Sequence, residues 1–265
     1  MRYFFHIGYN GTNYHGWQRH PKVTTVQEVL EDKLRKVLKV PIGINGCGRT
    51  DAGVHASQYF FHTDIMLEWD YDLAFRLNKT LPANIAVFDI LPMEQQHHAR
   101  FDATQRTYDY FLHTYKDPFL NNLSSMYLST NLRIDEMRKA VALLSEYKDY
   151  AAFCTSPAKY EHTICHVSDA RLFTDAKGDK LRFQISANRF LSRMIRIIMG
   201  RILKVGRGES SVDEFESYLL DTTKPIDVIP AHPQGLYLSK IVYPYLDLAP
   251  RTEFLSVVEN QGWER

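Results

Sequence analysis

Cysteine is scarce in this chain of 265 residues, and Cys47, Cys154 and Cys165 stand far apart. Such thiols make neither a disulfide framework nor a paired zinc signature, and they point to a reducing compartment. Cys154, His162, Cys165 and His166 lie near one another, but their spacing fits no standard zinc pattern, so no metal is expected. Long apolar runs are missing too. Residues 1–6 begin directly as a strand-like run without an apolar leader, and no later stretch is long enough for a bilayer, so a soluble cytoplasmic protein with no membrane association is expected. Nor is there an excess of charge: the net value is +1, so a nucleic-acid partner would have to meet basic residues gathered on one face. What remains is ordinary, with 45% apolar and 24% charged residues, enough for one large domain or two smaller α/β halves.

The first half reads strand, helix, strand, strand, helix, strand. Residues 2–9 alternate as a strand. Thr25 offers an N-cap and Glu28 closes a capping box, after which Val26, Val29, Leu30, Leu34, Val37 and Leu38 recur at helical spacing until Pro41. An apolar run at 41–44, strands at 58–63 and 85–91 and a helix at 71–78 complete the set. That order fits a split βαβ, ferredoxin-like unit with an antiparallel sheet. The second half repeats the same kinds of element: a helix at 134–145, a hairpin of 167–174 and 181–186, and helices at 190–205 and 212–220.

One stretch concentrates chemistry. Between Gly46 and Ala56 a single carboxylate, Asp51, lies among small residues, with Arg49 before it and His55 after it. Gly46, Gly48 and Gly53 allow positive φ or a close approach to a ligand, so the segment reads as a shaped loop after a strand. Asp51 could act as nucleophile, general base or metal ligand, or cap a turn. Upstream, residues 10–18 form a loop rich in glycine and aromatics, suited either to base stacking or to packing beneath the loop. Downstream, Tyr108 and Tyr110 alternate as on a strand. In the helix at 190–205, Leu191, Met194, Ile195, Ile198, Ile202 and Val205 make an apolar stripe opposite Arg189, Arg193, Arg196 and Lys204. Those cations form a solvated face or aim at a carboxylate or phosphate.

The nine consecutive residues Gly48 to Ala56 resemble the catalytic motif of the bacterial tRNA pseudouridine synthase A family. Gly11 to Gln18, His98 to Phe101, Arg106 to Tyr110, Phe190 to Arg196 and Gly235 to Leu238 are similar to further family segments, and together the matches run from Phe4 to Pro244. The resemblance implies Asp51 as nucleophile, Arg196 as its paired cation, and Tyr108 as the residue that meets the target uracil. It also implies that Leu236 and Leu238 line the uracil pocket. Arg49 is the candidate for holding a flipped nucleotide, and His55 and Arg193 join the substrate-binding set. The family's histidine pair before the methionine is replaced here by Ser192-Arg193, which bears on substrate contacts.

The implied fold is α/β (α+β), the pseudouridine synthase fold, with two ferredoxin-like halves in a continuous, mostly antiparallel sheet flanked by helices and a catalytic cleft between the halves. The halves are expected at 1–103 and 104–247, with a tail at 248–265. The implied activity is isomerisation of uridines 38, 39 and 40 in the anticodon stem-loop of tRNA, by a homodimer without a cofactor. An RNA-binding protein of the same fold without chemistry is the alternative. A glycosidase-type hydrolase is disfavoured, since no second carboxylate adjoins Asp51.

Overall fold

Alternating residues at the start of the chain become strand β1 (Arg2–Tyr9), which buries Phe4, Phe5 and Ile7. The computed structural model describes residues 1–128, 131–224, 227 and 229–251, and within them nine strands and five helices. They divide into two units: Met1–Thr104 with Tyr237–Thr252, and a second comprising Gln105–Leu236.

In the first unit, helix α1 (Val26–Leu38) begins where the capping box predicts, with Thr25 Oγ1 accepting from Glu28 N. It ends at Lys39, whose left-handed backbone (φ 59°) closes the last turn ahead of Pro41. Strand β2 is only Asn45–Gly46, one step beyond the apolar run read as its body. Strand β3 (His55–Asp64), helix α2 (Leu73–Thr80) and strand β4 (Ile85–Met93) follow. β1 lies antiparallel between β3 and β4, and β2 pairs antiparallel with β3. The order β4-β1-β3-β2 is the ferredoxin-like arrangement expected from the element order.

The expected contiguous halves differ from these units at one point. Strand β9 (Leu236–Val242) runs parallel to β3, with His55 opposite Tyr237 and Ala56 opposite Leu238. Gln58 Oε1 accepts from Ile241 N, and Thr104 N donates to Val242 O, so the chain from Tyr237 returns to the first unit. Of the tail at 248–265, the part from 252 onward lies outside the described residues.

The second unit pairs β5 (Gln105–His113) with β8 (Lys180–Ala187), β8 with β7 (Val167–Thr174), and the short β6 (Ser125–Met126) with β5. Helices α3 (Ile134–Leu143), α4 (Met194–Arg207) and α5 (Val212–Leu220) supply its apolar faces. α4 starts four residues later than its apolar stripe suggests, because Arg193 takes a left-handed conformation (φ 59°) and breaks the helical run. Arg189 and Arg193 therefore precede the helix rather than lying on it. Among the described residues no helix is long and apolar enough to cross a membrane.

Candidate active site

In the first unit the segment between β2 and β3 is pinned by a second loop, residues 10–18. Trp17 N donates to Thr50 O (3.2 Å), Gly53 N donates to Tyr14 O (3.1 Å), and the Tyr9 and Thr50 hydroxyls share a buried hydrogen bond of 2.9 Å. Tyr59 Oη donates to Gly48 O (2.6 Å), and its ring stacks on Trp17 with centroids 4.1 Å apart. The aromatics of residues 10–18 therefore pack beneath the segment between β2 and β3 rather than waiting for bases: Tyr14 is 7% exposed and Trp17 2%. Gly16 has φ +84°, and a Cβ there would lie 2.5 Å from Thr50 O, so the two loops touch backbone to backbone.

Asp51 sits half-buried at the tip of this clamp, flanked by Thr50 and by Gly53 at φ +76°. Val54 N bonds back to Asp51 O (3.2 Å), fixing the turn that presents the carboxylate. Arg49 is exposed, and its Nε donates to Gln18 Oε1 at 3.1 Å. His55 is fully enclosed; its Nδ1 accepts from Gly11 N (3.0 Å), and its ring stacks on Tyr237. Leu238 is buried on β9 in this unit, while Leu236, also buried, closes the second unit.

In the second unit Tyr108 lies on β5 opposite Ile185 and meets Phe190 edge-on, with centroids 5.1 Å apart. Its neighbour Asp109 is buried and accepts from Arg182 Nε (2.7 Å) and Gln184 Nε2 (3.0 Å), which locks the strand. Tyr110, two positions on and so on the same strand face as Tyr108, donates to His232 O at 2.9 Å. Burial holds its phenol well above the usual tyrosine range, with Tyr127 adding to the shift and the positive charge of Arg196 opposing it. Arg196 therefore lies within electrostatic reach of Tyr110. Its Nε donates to Ala231 O (2.7 Å), and Ala231 N returns a bond to Arg196 O (2.8 Å), a reciprocal pair that orients the guanidinium.

Arg193 is exposed at the N-terminus of α4 and makes no side-chain cap. Cys154 and Cys165 are both buried, and burial pushes the Cys165 thiol up to about 11.

Sequence reasoning passed over Arg201, which is 4% exposed on α4. It pairs with Asp227 at 2.9 Å and lies 3.3 Å over the Tyr218 ring. It also passed over the clamp between residues 10–18 and 47–54, for which the Gly-x-x-Tyr-x-Gly-Trp-Gln spacing was the available signal.

A family described as tRNA pseudouridine synthase matches residues 7–102 and 140–244. Among curated proteins, the chain is 39% identical to a tRNA pseudouridine synthase A of Parabacteroides distasonis, over 92% of this chain and 96% of that one. It is 37% identical to one of Porphyromonas gingivalis, over 92% and 97%. A tRNA pseudouridine synthase A of Paraburkholderia phytofirmans is 32% identical over 97% of this chain and 95% of its own length.

Proposed function

The chain belongs to the tRNA pseudouridine synthase family, and within it we propose that Asp51 is the nucleophile of an enzyme acting on uridines 38, 39 and 40 of the anticodon stem-loop. The enzyme is an isomerase that forms pseudouridine in tRNA. The reaction breaks the bond from N1 to the ribose, turns the base, joins C5 to the ribose, releases the C5 proton and protonates N1. No electrons are exchanged with an outside reagent, so positioned side chains suffice.

The observation that carries the assignment is the clamp: a half-buried carboxylate whose neighbours Thr50, Gly53 and Val54 are each hydrogen-bonded to backbone or to Tyr9. A nucleophile must be held in place while its substrate moves. Tyr108 takes the face of the uracil and assists removal of the C5 proton. Arg196, oriented by Ala231, supplies the positive charge that favours an ionised carboxylate. Arg49 and Arg193, both exposed, meet RNA phosphates, and Arg49 holds the flipped nucleotide. Leu236 and Leu238 give the pocket its apolar wall. His55, enclosed between Gly11 and Tyr237, serves by holding the loop rather than by touching RNA. The working form is a homodimer in the cytoplasm; Phe119 (85% exposed) and Leu128 (73%) are apolar surface on the second unit that a partner copy would cover.

The test is tritium release from unmodified tRNA labelled at uracil C5. The native protein should release label, and Asp51→Ala should fall below about one-thousandth of that rate while still binding tRNA. Binding by both proteins with release by neither would favour the RNA-binding reading.

A further inference from the structure

Three glycines near Asp51 differ in what they lack a side chain for. At Gly16 a Cβ would strike backbone, and at Gly46 it would lie 2.2 Å from Tyr59 Oη and 2.6 Å from the Trp17 indole. The fold itself forbids a side chain at both. Gly48 is different: its φ is not positive, and a Cβ there would meet nothing within 4 Å. Neither backbone conformation nor internal packing accounts for a glycine there, and the space over it is open.

That volume belongs to a surface cleft of about 270 Å³ in the first unit. Trp17 and Gly48 line it together with Gln18, Arg49, Arg100 and Phe101, and no carboxylate does. Asp51 is not among the lining residues, so the cleft lies beside the nucleophile rather than around it. Its size is just under the range of small-molecule pockets, about 300–1,000 Å³, and suits one nucleotide rather than a duplex.

Phe101 is 75% exposed, yet it is held firmly. Its ring lies on His98, centroids 4.2 Å apart, and His98 Nδ1 accepts from both Arg100 N (3.0 Å) and Phe101 N (3.3 Å). Asp102 secures the turn by accepting from His98 N (2.8 Å) and from Tyr245 Oη (2.8 Å). A large apolar ring kept in water by a hydrogen-bonded turn is a preformed stacking platform. Arg100, 5.8 Å from that ring, and Arg49, oriented by Gln18, bring positive charge to the same cleft.

We infer that this cleft holds an unpaired RNA nucleotide next to the target uridine, its base on Phe101 over the open floor at Gly48 and its phosphate between Arg49 and Arg100. The inference rests on the pseudouridine synthase reading of Asp51. It adds a second nucleotide to the recognised substrate. Stacking accepts any base, which suits an enzyme that must act at several positions.

The test measures tritium release against tRNA concentration, beside direct tRNA binding, for four variants. Phe101→Ala should raise KM about 5- to 150-fold with kcat little changed, since a stacked base contributes roughly 1–3 kcal/mol. Phe101→Trp should stay near the native value and Phe101→Leu should not, a pattern that a merely structural role would not produce. Gly48→Leu, whose Cβ meets nothing within 4 Å and whose branch occupies the cleft, should raise KM while changing the melting temperature little. Unchanged KM in Phe101→Ala and Gly48→Leu would overturn the inference, as would equal behaviour of Phe101→Trp and Phe101→Leu. Should the native protein release no tritium, the catalytic reading fails on its own; weaker tRNA binding by Phe101→Ala and Gly48→Leu would still uphold the cleft, and unchanged binding would sink it.

Discussion

Two of the residues with a left-handed backbone near the proposed chemistry are filled in opposite ways. In the first unit the position is Gly16, at φ +84°, enclosed against Thr50, Asp51 and Ala52. In the second it is Arg193, at φ +59°, exposed at the start of α4. For a residue with a Cβ that conformation costs roughly 1–2 kcal/mol, and a cation at a helix N-terminus is disfavoured by a further ~0.3–1 kcal/mol. Gly16 follows what folding requires. Arg193 goes against it twice, which fits the RNA-binding role proposed for it. Gly16 is enclosed by its neighbours, whereas Arg193, like Lys39 at the end of α1, holds the conformation where the side chain faces outward.

The comparison breaks most visibly at Gly16. Gly16→Ala would place a methyl group 2.5 Å from Thr50 O and 3.2 Å from the Asp51 carbonyl carbon, so the clash falls on the segment carrying the proposed nucleophile. We expect a loss of about 2–3 kcal/mol in stability by urea unfolding, and a fall in kcat of about 100-fold from displacement of the carboxylate. A variant as active as the native protein would mean that the two loops are not coupled.

How much of this was legible depends on what each position obeys. β7 (Val167–Thr174) and α5 (Val212–Leu220) lie where their patterns predict, because period-2 and period-3.6 burial decide them locally. The start of α4 was misplaced because Leu191 is buried like the helical residues after it, so the apolar stripe continues across a backbone break that only φ at Arg193 reveals. Tyr14 and Trp17 read equally well as stacking surfaces or as packing; burial, a long-range property, settled it. The motif Gly48 to Ala56 could be read directly, but the contrast between Gly46 and Gly48 could not, since it depends on Tyr59 and Trp17 folding onto one of them and not the other.

A second, smaller effect tests the packing of the first unit. His62 is 2% exposed on β3, stacked on Phe4, with Nδ1 accepting from Ala99 N at 3.2 Å. Burial, and then the positive charges of His98 and Arg2, lower its pKa from 6.5 to about 4, outweighing the opposing pull of Asp64 and Asp102. The folded value lies below the unfolded one, so the native state favours neutral imidazole. That stability is complete above about pH 6.5 and is lost as the pH falls towards 4. The loss should be on the order of 2 kcal/mol, discounted for screening. His62→Gln keeps an acceptor for Ala99 N and should flatten the fall between pH 6.5 and 4 in urea unfolding. An unchanged slope would assign the acid sensitivity elsewhere.

The smallest effect sharpens the comparison most. If Arg193 is retained against its own folding energetics, Arg193→Gly should relieve both the left-handed strain and the charge at the helix start. Glycine's greater freedom in the unfolded chain offsets part of that gain, leaving about 1 kcal/mol. Arg193→Ala keeps the strain and should gain only a few tenths of a kcal/mol. Both variants should raise KM for tRNA several-fold and reduce the dependence of log KM on log salt by about one phosphate contact, with kcat preserved. Arg193→Lys should restore most of the salt dependence. A stability gain without any change in KM would leave the strain with no function, and would place Arg193 with Gly16 as a residue answering only to the fold.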